Sequence, residues 1–385
     1  MFNLDLDYLL LNLLLLGVFA YSGKKISAGS KYKGYAFICI VLYTFVLGSR
    51  YMRGNDYEHY IEVYVYGYGI GTIQPLFTGF NDLLKENGVQ ALHIFYYYSL
   101  PFILAGFIFL SRFKKYAKYM LPFFLIDVIY FNEFQIRQSL GYTFVFLFLY
   151  ELFRTEYITV NRLSSYRKYI MCYLYIMLAY SVHTADAYIM AIILVVYLAK
   201  KTMIPLVISI PAYLIGTFVI SRLSDITFLQ SFMAGFEDSE TLFSRYVEHS
   251  DKWFSAEGYK DIYTRNAIVR IFEVAGNVSL FILSYKYIKK CCNERWIICL
   301  TNLFIIGAIV KASFINLEIM NRLGGNLKIF VFAPLSVVLF YRKQLKRTFW
   351  TKVCFLCLTF WIYDYLRYLF LRGDMTKFIW DIMLY

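Results

Sequence analysis

Long apolar runs recur along the whole of this 385-residue chain, near 4–21, 34–51, 91–110, 119–131, 134–153, 169–182, 184–199, 203–221, 266–286, 296–315, 323–341 and 348–370. A helix of about 20 apolar residues crosses the hydrocarbon core of a bilayer. Lipid leaves no water to satisfy the backbone, so each such run must bond within itself. The runs therefore predict an all-α, polytopic integral membrane protein with about 12 transmembrane helices. The stretches 119–131, 169–182 and 184–199 are short and read as tilted, broken or re-entrant. Composition agrees: 60% of residues are hydrophobic, 17% are charged and mean hydropathy is +0.53. A soluble domain is nearer half apolar and a quarter charged, and could not hide this much apolar surface.

Basic residues test the helix count. Six alternate loops, "KKISAGSKYK", "RFKKYAK", "RTEYITVNRLSSYRK", "KK", "KYIKKCCNER" and "RKQLKR", carry the lysine and arginine clusters, opposed only by Glu156 and Glu294. Clustering at every second loop marks the cytoplasmic side. Both termini then lie outside. The first 25 residues do not read as a signal peptide, because Asp5 and Asp7 precede the apolar stretch and the lysines follow it. The net charge of +13 is thus a topology signal rather than a footprint for nucleic acid. Seven cysteines, mostly within apolar runs, show no disulfide framework or zinc spacing.

The outer side carries an unexpected surplus of arginine: Arg50, Arg53, Arg137, Arg222, Arg245, Arg265, Arg270, Arg322, Arg367 and Arg372 lie there or within helices. Two long outer segments interrupt what otherwise reads as one transmembrane domain spanning 1–385. In 52–90, Leu76, Phe77, Phe80, Leu83 and Leu84 share a face at helical spacing, which predicts an amphipathic helix at the interface. The other segment, 222–265, is the most hydrophilic part of the chain and holds Glu248 and His249.

Candidate functional residues collect at the outer helix ends. "RYMRGNDYEHY" puts Arg50 at the end of the second span, with Arg53, Asp56 and Tyr60 on one face if the helix continues. The plain alternative is an interfacial anchor, with Arg and Tyr snorkelling to headgroups. "NEFQIRQSL" places Glu133, Arg137 and Gln138 at the start of the fifth span. Arg137 needs a wet cavity or a partner, and Glu133 at i−4 is the structural choice. "SVHTADAY" sets His183 and Asp186 at an outer turn, as a helix-end hydrogen-bonding pair or as a base with its orienting acid. Arg270 and Glu273 read as an internal ion pair. "EIMNRLGGNLK" brings Arg322 to the outer start of the eleventh span, and Gly324–Gly325 allow close helix approach or an unwound turn. Arg367 ends the twelfth.

Arg50, Arg53, Arg137, Arg322 and Arg367 map to one membrane level. Such arginines repel one another unless an anion sits among them, and their forked donors suit phosphate oxygens. The residues alone point to an outer-leaflet site for a phosphate- or diphosphate-bearing lipid. No metal-ligating motif accompanies it, so neither a cofactor nor a metal is expected.

With those motifs in view, the chain resembles the Wzy-type polysaccharide polymerases, in the EpsG-like branch. The resemblance rests on "LGSRYMRGNDYEHYIEVY", "IQPLFTGFNDLLKENGV", "IRQSLGYTFVFLFLYEL", "SVHTADAYIM" and, more loosely, "IMNRLGGNLKIFVF", in that order over most of 30–340. Two positions depart from the family pattern: Gln74 replaces an acid before proline, and Asp186 stands where a small or apolar residue is usual. The resemblance implies a metal-independent glycosyltransferase of the bacterial inner membrane, with its active site on the periplasmic side. It would join undecaprenyl-diphosphate-linked oligosaccharide repeats, among membrane lipids and possible flippase and chain-length-regulator partners. The fold it implies is GT-C-like. The outer arginines and the resemblance together give Arg50, Arg53, Tyr60, Arg137, Gln138, Arg322 and Arg367 as diphosphate or substrate contacts, with Arg367 resting on its membrane level alone, and Asp56 and His183 as candidate bases. The rival readings are a lipid-linked oligosaccharide flippase and an O-antigen ligase.

Overall fold

The computed structural model describes residues 6–54, 56–67, 74–154, 162–199, 201–221, 267–315, 317–346, 348–370 and 377–381. The hydrophilic segment 222–265, with Glu248 and His249, lies outside them, as does Arg372. Among the described residues all regular structure is helical, and the only β pairing is an isolated antiparallel bridge between Arg50 and Phe378.

Among the described residues, six helical stretches are long and apolar enough to cross a membrane: Leu6–Ser27, Ala91–Phe134, Ala267–Cys291, Arg295–Ser313, Met320–Tyr341 and Phe349–Phe370. Tyr32–Gly48, Thr184–Ala199 and Leu206–Ile220 are shorter apolar helices. The chain is thus a multi-pass membrane protein by helix length and composition, and every one of the twelve apolar stretches coincides with a helix.

The chain divides into two compact units. The first holds residues 1–195, 335–340 and 361–385. Its helices are α1 (Leu6–Ser27), α2 (Tyr32–Gly48), α3 (Tyr57–Tyr66), α4 (Pro75–Glu86), α5 (Ile94–Leu110), α6 (Ala117–Phe134), α7 (Ile136–Leu152), α8 (Arg162–Val182) and most of α9 (Thr184–Ala199). α1 packs on α6, and α7 lies between α5 and α8. Proline at 101 and 122 stands inside α5 and α6, where a ring without an N–H bends rather than ends a helix held by neighbours. The core is strongly aromatic: Phe102, Phe109, Phe124 and Tyr142 all surround Phe146.

The second unit holds residues 196–334 and 341–360. It contains α10 (Leu206–Ile215, continuing as a π-helical turn to Ile220), α11 (Ala267–Cys291), α12 (Arg295–Ser313) and α13 (Glu318–Lys328). The glycine pair performs its expected service here. A Cβ on Gly324 would overlap the Lys311 backbone, and one on Gly307 would overlap the backbone of Leu327 and Lys328, so α12 and α13 approach backbone to backbone.

One expected ion pair is rearranged in this unit. Glu273 pairs with Lys328 at 2.8 Å rather than with Arg270. Arg270 instead donates to the Thr217 carbonyl at 2.7 Å and to Ser221 Oγ at 3.2 Å. A π turn leaves carbonyls off the regular ladder, and a guanidinium satisfies them better than a distant carboxylate could use it.

Candidate functional site

One end of the first unit is built around Glu133. Its carboxylate is buried and 3.2 Å from Arg53 Nε. Tyr8 donates to it at 3.3 Å, and Tyr368 donates to the same Oε2. Three stretches far apart in the chain (the first helix, the turn after α2 and the last long helix) thus meet on one carboxylate. Arg53 is held on its other sides by the Val46 carbonyl at 2.9 Å and by the rings of Tyr8 and Phe378. Such stacking suits the flat, weakly hydrated guanidinium.

Arg50 is equally enclosed. It donates to the Asn132 carbonyl at 2.9 Å and lies over the Phe95 ring at 4.5 Å. Asn132 is fixed in turn, its Oδ1 accepting from Ser99 and its Nδ2 donating to Ser139. The backbone beside Arg50 is clamped by pairing with 377–379: Tyr51 donates to the Lys377 carbonyl and Ile379 to the Ser49 carbonyl. Arg50 and Arg53 are 0% and 1% exposed, so both guanidinium groups are enclosed by protein, although Arg50 Nε and Nη2 and Arg53 Nη1 keep no bond there.

The turn between these arginines and α3 depends on Gly54. Its φ of +99° is open to glycine, and a Cβ would overlap the Glu133 carbonyl oxygen. Asp56 follows, half-buried at the start of α3, with no side-chain capping bond. The helix of α2 therefore does not run on through Arg53 to Tyr60: a turn intervenes, and the shared face expected from i, i+3 and i+4 spacing does not form. Glu58 and His59 are exposed, and Tyr60 is buried edge-on against Phe77.

α4 is amphipathic as expected, but its apolar face covers protein. Phe77 and Leu84 are buried and Leu76 and Phe80 pack beside them, in a cluster with Tyr57, Tyr60, Tyr64, Tyr98, Ile136, Leu140 and Val182. Leu83, on the expected apolar face, is instead 53% exposed. Asn81 shares the buried face and accepts from Tyr98. This tyrosine-rich cap sits over the ends of α5, α7 and α8.

Beneath it lies the least committed group of polar side chains. α6 stops at Phe134, Gln135 leaves the helical region (φ −124°, ψ 58°), and α7 restarts at Ile136. That break separates Glu133 from Arg137, so the expected i−4 pair does not form and Glu133 serves Arg53 instead. Arg137 is half-buried, forms no ion pair among the described residues, and has an Nε without a bond. It stands in the first turn of α7, where backbone N–H groups lack intrahelical acceptors and the helix dipole favours an anion.

The first turn of α9 meets that of α7 through one carboxylate. Asp186, fully buried, has Oδ2 3.5 Å from His183 Nδ1. Gln138 and Arg137 of α7 act electrostatically on the same carboxylate, although neither of its oxygens carries a closed hydrogen bond. Gly141, one turn below Gln138, makes the space, since a Cβ there would overlap Asp186 Oδ2. His183 retains 20% of its side-chain surface. The unit thus gathers Arg137, Gln138, His183 and Asp186 at one place, with Arg50, Arg53 and Glu133 forming a buried frame.

Arg367 is half-exposed and 3.9 Å from Asp364 on its own helix. Arg322 is exposed on α13 of the second unit. Among the described residues no three or more His, Cys, Asp or Glu side chains are placed to share a metal ion.

A family model, the EpsG family, matches residues 33–373. The chain belongs to the EpsG family. That family comprises polysaccharide polymerase-like membrane proteins. No curated protein and no solved structure matches the chain. In this EpsG-family protein the matched span includes the frame, the cap and the Arg137–Asp186 group, and omits α1 with Tyr8 and the 377–379 clamp.

Sequence reasoning missed Asn132 and Gly141. Asn132 sits one position before Glu133, in plain view among apolar residues, and a buried amide within a span is itself a signal of bonded partners. Gly141 carries no local signal, because the group that needs its space lies 45 positions away.

Proposed function

We propose that this protein is a Wzy-like O-antigen or polysaccharide polymerase, acting on undecaprenyl-diphosphate-linked oligosaccharide repeats at the periplasmic face of the bacterial inner membrane. The observation that carries the reading is Arg137: a cation in the first turn of α7, without an ion-pair partner among the described residues, in one group with a partly exposed histidine. Arg137 and Gln138 bind the donor diphosphate, and Arg50 and Arg53 hold the surrounding frame while offering their spare donors. The tyrosines above, Tyr60 among them, provide faces on which sugar rings stack.

In the reaction His183 accepts the proton of the acceptor hydroxyl as its oxygen bonds to the anomeric carbon of the donor. The bond from that carbon to the diphosphate oxygen breaks, and undecaprenyl diphosphate leaves with the electron pair. Its growing negative charge is met by guanidinium and helix N–H groups rather than by a divalent ion. Asp56, half-buried and with no capping bond, is the second candidate base; Arg367 on the first unit and Arg322 on the second are further candidate diphosphate contacts.

The test is reconstitution of the purified protein with a synthetic undecaprenyl-diphosphate repeat, with and without EDTA. Laddering is expected in both, and Arg137→Ala should leave single repeats unextended. Normal chain lengths in that variant remove Arg137 from the reaction. A requirement for lipid A-core as acceptor would favour a ligase, and loss of repeats from the outer leaflet of the deletion strain would favour a flippase.

A further inference from the structure

The carboxylate between α7 and α9 has more elaborate provision than a helix end needs. Asp186 stands three residues after His183, at the third position of α9, and its backbone N–H donates to the His183 carbonyl at 3.0 Å. An acid at that position commonly reaches back to cap its own helix. Here it is fully buried, it faces across to the neighbouring helix, and α7 keeps glycine at the one site where any side chain would displace it. No lysine or arginine closes an ion pair on it within the described residues; His183 Nδ1 is the closest basic atom, with Arg137, Gln138 and Tyr142 of α7 as the other groups that interact with it.

We infer that Asp186 is a positioning residue for His183, and that Gly141 is the clearance that lets it act. The inference rests on the polymerase reading above. A neutral imidazole carries its proton on one nitrogen, and the hydrogen bond at that nitrogen selects the tautomer. Nδ1 and Asp186 Oδ2 stand 3.5 Å apart with no closed hydrogen bond and no other partner on either atom; a small approach that closes Nδ1–H on Oδ2 leaves Nε2 its lone pair, free to take the acceptor proton. Asp186 has no exposed surface and touches no substrate; it acts through the imidazole. After proton transfer the imidazolium lies beside a carboxylate, which stabilises the charge until the proton is returned to solvent.

Two measurements test this on the full-length protein. The first is the ¹⁵N spectrum of histidine-labelled protein, simple because the chain has four histidines, with His183 assigned by its loss in His183→Gln. Wild type should show His183 as the Nδ1–H tautomer, and Asp186→Asn should lose that preference. The second is the rate of repeat extension. Asp186→Asn should lower kcat by about 100-fold, the range of a displaced general base, with KM within about twofold. Gly141→Ala should reproduce the spectral change. A capping role alone would leave the tautomer unmoved and would change kcat and KM through folded fraction only. A wild-type His183 protonated at Nε2 overturns the inference without recourse to any variant. So does wild-type kcat in a folded Asp186→Asn protein that still ladders. Absence of laddering by wild type overturns the polymerase reading and this role with it, whatever the spectrum shows.

Discussion

Replacing Glu133 with glutamine removes one charge and no volume from the frame of the candidate site. The partner left behind, Arg53, is 1% exposed and has no second acid within reach among the described residues. At 3.2 Å the pair's attraction is about 5 kcal/mol at an effective dielectric near 20, before the cost of desolvating both groups. The net worth of the pair is smaller, but breaking one side leaves the other buried and uncompensated, for which about 3–5 kcal/mol is typical. The tyrosines at 8 and 368 also lose a charged acceptor, whose hydrogen bonds are roughly twice as strong as neutral ones. Glu133→Gln should therefore destabilise the protein by about 3–5 kcal/mol, and Arg53→Met by a similar amount. The double variant should fall well short of the sum, with a coupling energy of about 2–3 kcal/mol. Equilibrium unfolding in mixed micelles, followed by tryptophan fluorescence across all four proteins, measures each value. Single losses below about 1 kcal/mol that simply add in the double variant would refute the hub.

Two further outcomes follow from backbone geometry. Gly54→Ala should cost more than about 2 kcal/mol, since it meets both a positive φ and the Glu133 carbonyl, and its unfolding midpoint should drop below that of an alanine at Gly67, where φ is also positive but the space is open. Gly324→Val should separate α12 from α13 and lower thermal stability, whereas Gly79→Val, on an open face of α4, should shift it by under about 1 kcal/mol; equal shifts would show that the close crossing is unimportant.

The chain's sequence fixes what depends on composition and nearest neighbours. Apolar runs too long for a soluble core place a helix at every one of the twelve stretches, because lipid permits no other way to satisfy the backbone locally. The glycine pair at 324–325 and the amphipathic pattern of α4 were legible for the same reason: spacing along one helix decides them. Pairings that cross between elements were not. Helical spacing paired Glu273 with Arg270 and offered Glu133 to Arg137 as the structural alternative, yet a break at Gln135 and a π turn at 216–220 leave both acids with more distant partners. The arginines of "RYMRGNDYEHY" show the same division. Their presence at an outer helix end is a property of the sequence, but only tertiary packing encloses Arg50 and Arg53 in rings and carbonyls and leaves Arg137 beside His183. A buried charge takes whichever partner the fold brings within reach, and that reach is set by elements distant in sequence: Glu273 and Lys328 lie 55 residues apart, and Glu133 and Arg53 farther still.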